Sequence, residues 1–194
     1  MTTAGGDSFV HLHVHTEFSI LDGAARIKEL IGETARMGMP AVAMTDHGNM
    51  YAALDFYREC GKQGVKPIIG AELYVATRSR FEKSSREKDG SRHLTVLATS
   101  DEGYRNLMRI VSAGHLDGFF YRPRVDKEVL AQYSKGIVAL TGCLASEVNE
   151  HLKNGDVEAA TGAAGEYAEI FGKENVYVEL QDHGIADQHK VFPQ

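Results

Sequence analysis

Three histidines fall at alternate positions in His11-Leu12-His13-Val14-His15, and Asp22 follows in the turn Leu21-Asp22-Gly23. Phe9, Val10, Leu12 and Val14 give the stretch the pattern of a short apolar strand. A strand turns every second side chain to one face and rises about 3.3 Å per residue, so successive imidazoles of this set stand roughly 7 Å apart on one side. Two imidazoles on one face at a strand end can grip one metal ion, with the Asp22 carboxylate close behind. Ordinary histidines on a half-exposed strand, or a tag remnant, would explain one such residue. They explain this density of His beside acidic turn residues less well, and the stretch reads as half of a metal site.

The rest of the chain supplies elements to position the other half. Ala24 to about Met37 carries Ile27, Leu30, Ile31, Ala35 and Met37 at helical spacing, with Gly38 as a stop. Ala41–Thr45 reads as a buried strand that ends in Asp46-His47-Gly48-Asn49, and Tyr51 to about Cys60 as a helix. Lys66–Val75 is a third strand, containing Glu72. The polar run Arg78–Arg92 reads as a mobile surface loop. His93–Ala98 restores the strand pattern, followed by a helix from Glu102 to about Ala113. A loop holding Phe119-Phe120-Tyr121-Arg122-Pro123-Arg124 leads to a short helix from Lys127. A strand Gly136–Leu140 ends at Thr141-Gly142-Cys143, helices follow at about Ala145–Lys153 and Val157–Phe171, and the last strand signal is Val176–Leu180. This alternation predicts an α/β fold, a parallel sheet or barrel built of right-handed crossovers.

In such folds working residues collect at the C-terminal ends of the strands. Those ends carry His13 and His15, Asp46 and His47, Glu72, Cys143, and Gln181-Asp182-His183, whereas His93 opens its strand instead of closing it. A pocket of imidazole and carboxylate suits zinc, manganese or iron, and a thiolate among the donors favours zinc. A carboxylate such as Glu72 can bridge two ions, the arrangement used for in-line displacement at phosphorus.

Composition sets the outer bounds. The 194 residues carry 43% hydrophobic and 25% charged side chains and a formal charge of -6, which fits one ordinary globular domain without a basic nucleic-acid-binding surface. Nine histidines are many for this length, and the two cysteines, Cys60 and Cys143, are far apart. With no leader pattern, reduced thiols and a cytoplasmic chain are expected. No apolar run approaches the ~20 residues of a membrane span. Residues 1–8 read as a disordered tail and 9–194 as a single domain, without internal repeat.

Taken together, His13-Val14-His15-Thr16, Asp22-Gly23, Thr45-Asp46-His47-Gly48-Asn49, Gly70-Ala71-Glu72, His93 and Thr141-Gly142-Cys143 resemble the polymerase-and-histidinol-phosphatase (PHP) domain family. The match is closest to the branch at the N-terminus of bacterial replicative, C-family DNA polymerases. Phe18–Ala25, Met44–Met50, Lys66–Gly70, Gly118–Arg124 and Glu179–Gly184 look specific to that branch. The resemblance runs from Phe9 to about His189.

The resemblance implies a distorted seven-stranded β/α barrel holding up to three ions, zinc or else manganese or iron. His13 and His15 would bind the first ion, Glu72 would bridge to a second completed by His93 and Cys143, and Asp22 and His47 would hold a third. No side chain is assigned as catalyst; that role is left to water activated by the ions. His11 and Asp46 are read as residues that support the ligands, His11 with a purely structural role as the alternative. Asp182-His183 is read as structural or supporting, because the family's closing Asp-X-His pair lies on a later strand. The chain stops at Gln194, before that pair, so the resemblance implies a barrel lacking its last strand or strands, with an exposed edge prone to association. The implied activity is metal-dependent phosphoesterase chemistry, in the polymerase setting 3′→5′ exonuclease action on a mispaired primer end. The implied partners are primer-template DNA, a sliding clamp and a proofreading exonuclease subunit. The alternatives are a metal-stabilised domain that supports the polymerase and docks that subunit, or a stand-alone phosphatase.

Overall fold

The structure, a computed structural model, describes residues 8–20, 22–84 and 91–193. Its centre is β2, Lys66–Val75, a ten-residue strand whose second half is wholly buried. β1, Ala41–Met44, runs parallel to it, with Ala41 opposite Lys66 and Met44 opposite Ile69. α1, Ile27–Arg36, precedes β1 and α2, Ala53–Gln63, links it to β2. Ile27, Ile31, Val42, Met44, Phe56 and Cys60 close one core between these helices and the sheet.

β3, Arg92–Ala98, runs antiparallel to β2, with His93 opposite Tyr74 and Leu97 opposite Gly70. This corrects the all-parallel expectation. A parallel return needs a crossover of a dozen or more residues, usually helical, and the run between β2 and β3 has no helical pattern. The same polar run is anchored as well: Arg80 is buried, its backbone N–H and guanidinium both donating to the Asp126 carboxylate at 2.8 Å. Residues 85–90 of that run, and residues 1–7 of the expected tail, lie outside the described residues.

α3, Asp101–Leu116, leads to a hairpin of β4, Phe119–Phe120, and β5, Arg122–Val125, and β5 lies parallel to the end of β2. α4, Lys127–Gln132, precedes β6, Ile137–Leu140, which pairs antiparallel with β3. α5, Glu147–Lys153, and α6, Val157–Phe171, return to β7, Val176–Tyr177, parallel to β6; α7, Ala186–Val191, follows. The main core lies between the sheet and α3, α4 and α6, around Leu73, Leu94, Val96, Leu107, Ile110 and Tyr167.

The seven strands lie in the order β4-β5-β2-β3-β6-β7 with β1 beside β2, and among the described residues the sheet does not close. The expected first strand is a looser segment. His11 makes a single bridge to Val42, and the Ala43 and Thr45 N–H groups donate to His11 O and Val14 O. Phe9 and Leu12 stay exposed at 65% and 40%, and Val14 packs against the core that holds Val42 and Met44. The last strand is shorter than expected, ending at Tyr177 while Val178 and Leu180 are exposed.

Candidate metal centre

Four loops and strand ends converge on the side chain of Glu72, which is 2% exposed. Its Oε2 lies 2.8 Å from His15 Nε2, 3.0 Å from His13 Nε2 and 3.4 Å from His47 Nδ1. Its Oε1 lies 2.8 Å from His93 Nδ1 and accepts the Cys143 thiol at 3.3 Å. His13 and His15 present their Nε2 atoms to each other at 3.2 Å, and Cys143 Sγ is 3.5 Å from His93 Nδ1. Toward solvent, His47 Nε2 reaches Asp22 Oδ2 at 2.8 Å. The two oxygens of Glu72 therefore face different donor sets.

Local interactions explain the convergence. Thr45 Oγ1 accepts from the Val14 N–H, and the buried Asp46 carboxylate accepts the Thr16 N–H at 2.6 Å and the Thr16 hydroxyl at 2.8 Å. These bonds fasten the segment bearing His13 and His15 to the end of β1. The Glu72 N–H donates to Asp46 O and the Gly48 N–H to Glu72 O, which carries His47 alongside Glu72. The buried Ser19 hydroxyl lies 2.8 Å from His15 Nδ1 and accepts the His47 N–H at 3.1 Å. Gly23 lets the turn close: a Cβ there would stand 1.9 Å from Thr16 O. Because β3 is antiparallel, its first residues lie where the neighbouring strands end, and His93 enters the site from the start of its strand.

Electrostatics follow from this packing. Burial disfavours a charged His13, but its hydrogen bonds to Glu179 and Glu72 outweigh that and raise it to about 9. Burial likewise opposes a charged Glu72, yet the bonds from His13, His15 and His93 hold it far below the ordinary carboxylate range. Burial lowers His47, and burial with the Glu72 charge pushes the Cys143 thiol up to about 12. Asp22 is held low by the His47 charge against the cost of its burial, and burial raises Asp46.

The donor set fits metal ions. Three groups have their ligand atoms mutually within 4.8 Å: His13, His15 and Glu72; His15, Asp22 and His47; His47, Glu72 and His93. Ligands of a tetrahedral ion at 2.0–2.1 Å stand about 3.3 Å from one another, close to the separations around Glu72 Oε2. His47 Nδ1 and Glu179 Oε2 are buried without a hydrogen-bond partner, whereas buried polar atoms in folded proteins are as a rule paired. A thiol held protonated beside a carboxylate is also what a cation would convert to a thiolate ligand.

All seven residues expected as ligands, His13, His15, Asp22, His47, Glu72, His93 and Cys143, line one cleft of about 1020 Å³. Asp46 supports Thr16 from below. His11 is exposed, packs edge-on against Phe9 and makes no contact with the ligand cluster among those described. Asp182 accepts from the Gly184 N–H, and His183 engages Gln188. Two residues escaped the sequence reading: Ser19, described above, and Glu179, whose Oε1 lies 2.8 Å from His13 Nδ1. Gln181, named among the strand-end residues, brings its Nε2 to 3.2 Å from the same nitrogen. Glu179 sat inside an expected strand beside the Gln181-Asp182-His183 end, which was its only signal.

An open mixed sheet whose strand ends gather imidazole, carboxylate and thiol around one buried glutamate defines an α/β domain with a cluster that could hold metal ions. The sequence profile of the PHP domain matches residues 11–183, and the chain belongs to that family. It is 46% identical over 188 residues to the DNA polymerase III subunit alpha of Treponema pallidum, covering 96% of this chain and 16% of that protein. It is 44% identical over 188 residues to the Thermus aquaticus subunit, covering 94% and 15%, and 42% identical over 203 residues to that of Mycobacterium tuberculosis, covering 97% and 17%. The chain thus spans about a sixth of the length of these relatives. A solved Bifidobacterium adolescentis protein, named as a candidate metal-dependent phosphoesterase, shares the fold at a TM-score of 0.53 and 14% identity, covering 96% of this chain and 82% of that one. No described helix is long and apolar enough to cross a membrane.

Proposed function

We propose that this domain binds divalent transition-metal ions at the Glu72 cluster and hydrolyses a phosphoester, in the setting of a replicative polymerase the phosphodiester at a DNA 3′ end. One observation carries the reading: the Glu72 oxygens are divided between two donor sets, His13 with His15 and His93 with Cys143, as a carboxylate bridging two ions requires. Asp22 and His47 would hold a third ion at the rim. When bound, the ions supply Lewis acidity toward a phosphoryl oxygen and lower the pKa of water. Cys143 among the donors favours zinc over manganese or iron.

The chain's own residues hold and orient. Glu179 accepts from His13 Nδ1, which leaves Nε2 as the ligand nitrogen and fixes the ring. Ser19 does the same for His15 Nδ1. Asp22 stays ionised at neutral pH and aligns His47 at the solvent side. The names of the relatives, each a subunit of a DNA polymerase, support DNA as the substrate and a place beside other subunits; a sliding clamp and a proofreading exonuclease are the partners proposed.

The test is metal analysis of the protein beside its His13→Ala/His15→Ala variant, with hydrolysis of a small phosphodiester and of a single-stranded oligodeoxynucleotide. Metal and hydrolysis are expected in the first and lost in the second. Equal metal content in both, or hydrolysis that survives chelation, would overturn the proposal.

A further inference from the structure

A second pocket, of about 330 Å³, opens beside the cleft and shares Asp22, His47 and His93 with it. Its outer wall is the turn between β4 and β5. Phe120 pairs with Arg122, so Tyr121 alone makes the turn. Tyr121 is the one described non-glycine residue with positive φ, at 61°, and it is 65% exposed. A bulky residue held in the left-handed region, where glycine fits without strain, points to a use for its side chain. Ile20, 85% exposed, lines the same pocket.

Next to Tyr121, the Arg122 guanidinium sits 4.9 Å over the Tyr74 ring. Tyr74 is stacked on His47 at 5.4 Å and 16°. Arg122 is thereby tied to the wall of the metal cluster. Among the described residues it is the one Lys or Arg lining either pocket, where the other charged groups are carboxylates and the His13 imidazolium. A substrate whose single phosphate goes to the ions offers Arg122 nothing. A strand with successive phosphates does, and its bases offer Tyr121 a face to stack on.

We infer that the turn Tyr121-Arg122 is a nucleic-acid subsite, in which Arg122 binds the backbone phosphate next to the one at the ions and Tyr121 stacks a base of a single strand. The inference rests on the proposed function, since it places one phosphate at the Glu72 cluster. It makes Arg122 and Tyr121 the residues that favour a strand over a small phosphorylated metabolite.

The experiment is fluorescence anisotropy of a labelled single-stranded oligodeoxynucleotide with a phosphorothioate backbone, titrated with the zinc-loaded protein over a range of salt. Arg122→Gln should weaken binding about tenfold and flatten the slope of log affinity against log salt by about 0.7, the share of one phosphate contact on a single strand. Arg122→Lys should restore the slope. Tyr121→Ala should weaken binding about tenfold with the slope unchanged, and Tyr121→Phe should bind like the unsubstituted protein. Metal content and hydrolysis of a small phosphodiester should be the same in all five proteins. No binding by the unsubstituted protein, or an Arg122→Gln variant with the same affinity and slope, would overturn the inference. So would loss of metal in Arg122→Gln, which would make the residue structural. Failure of the metal and small-diester measurements alone, with Arg122-dependent binding retained, would instead count against the hydrolytic reading.

Discussion

Replacing Glu72 by Gln probes the centre of the site with almost no change of shape. In the metal-free protein the carboxylate accepts from His13, His15, His93 and Cys143 through both oxygens, at 2% exposure. Removing one partner of a buried charge pair costs about 3–5 kcal/mol. Gln keeps one acceptor oxygen, so the lower end, about 3 kcal/mol, is expected. For a domain of this size that is a fall in Tm of roughly 6–12 °C. Metal adds a second difference. Zinc at a hundred times its dissociation constant stabilises a folded protein by about 2.7 kcal/mol, and the variant, deprived of the bridging anion, should gain little. Scanning calorimetry in EDTA and in zinc, with metal content measured on the same samples, gives both numbers. A Glu72→Gln variant that melts within roughly 2 °C of the unsubstituted protein in both buffers, with full metal content, would refute the central role given to this carboxylate.

Other outcomes follow from the same geometry. In EDTA, stability should be greatest between the ordinary Glu value of 4.5 and the ordinary His value of 6.5. The contribution of Glu72, whose pKa is depressed, is withdrawn as pH falls below that window; the contribution of His13, raised to about 9, is withdrawn as pH rises through that value. Urea unfolding across pH checks this, and a flat profile would exclude it. Because His13 Nε2 must shed its proton to bind an ion, zinc affinity should climb with pH up to about 9, read by competition with a chelating dye. Glu179→Gln should weaken zinc binding by about 10–100-fold through loss of the partner that orients His13, and should also lower the melting temperature of the chelated protein at neutral pH, where His13 carries its proton. Arg80→Ala should lower stability by about 3–5 kcal/mol by leaving the Asp126 carboxylate buried without its cation, while metal content stays the same.

How far the chain could be read before its structure depended on which forces each part obeys. The helix at 157–171 and the strand at 66–75 came out at their expected limits, since each has a long apolar pattern that burial enforces. The segment around His11–His15 did not form the expected strand. Its alternation is real, but Phe9 and Leu12 stay exposed, and beyond the packing of Val14 on the core what holds it is polar, Thr45 and Asp46 reaching Val14 and Thr16. Side chain–backbone bonds of that kind leave no periodicity to find. Ser19 was missed for a similar reason, being a small hydroxyl whose importance lies wholly in what stands opposite it. Glu179 was missed because the strand that was expected to carry it ends at Tyr177.

His93 shows why the site was more legible than the topology. Its place at the start of a strand contradicts a rule that holds for parallel sheets, and an all-parallel sheet would have carried it to the far end of the molecule from Glu72. The absence of a helical pattern between Val75 and Arg92 already forbade the parallel return. Combining the two gives the observed arrangement: an antiparallel strand begins where its neighbours end, and a histidine that opens it meets a carboxylate from the strand beside it, His93 Nδ1 and Glu72 Oε1 at 2.8 Å. The chemistry of the residues therefore constrained the direction of β3 at least as firmly as the hydrophobic pattern did. The requirement that His13, His15, His47, His93 and Cys143 reach one buried glutamate leaves this strand one direction in which to run.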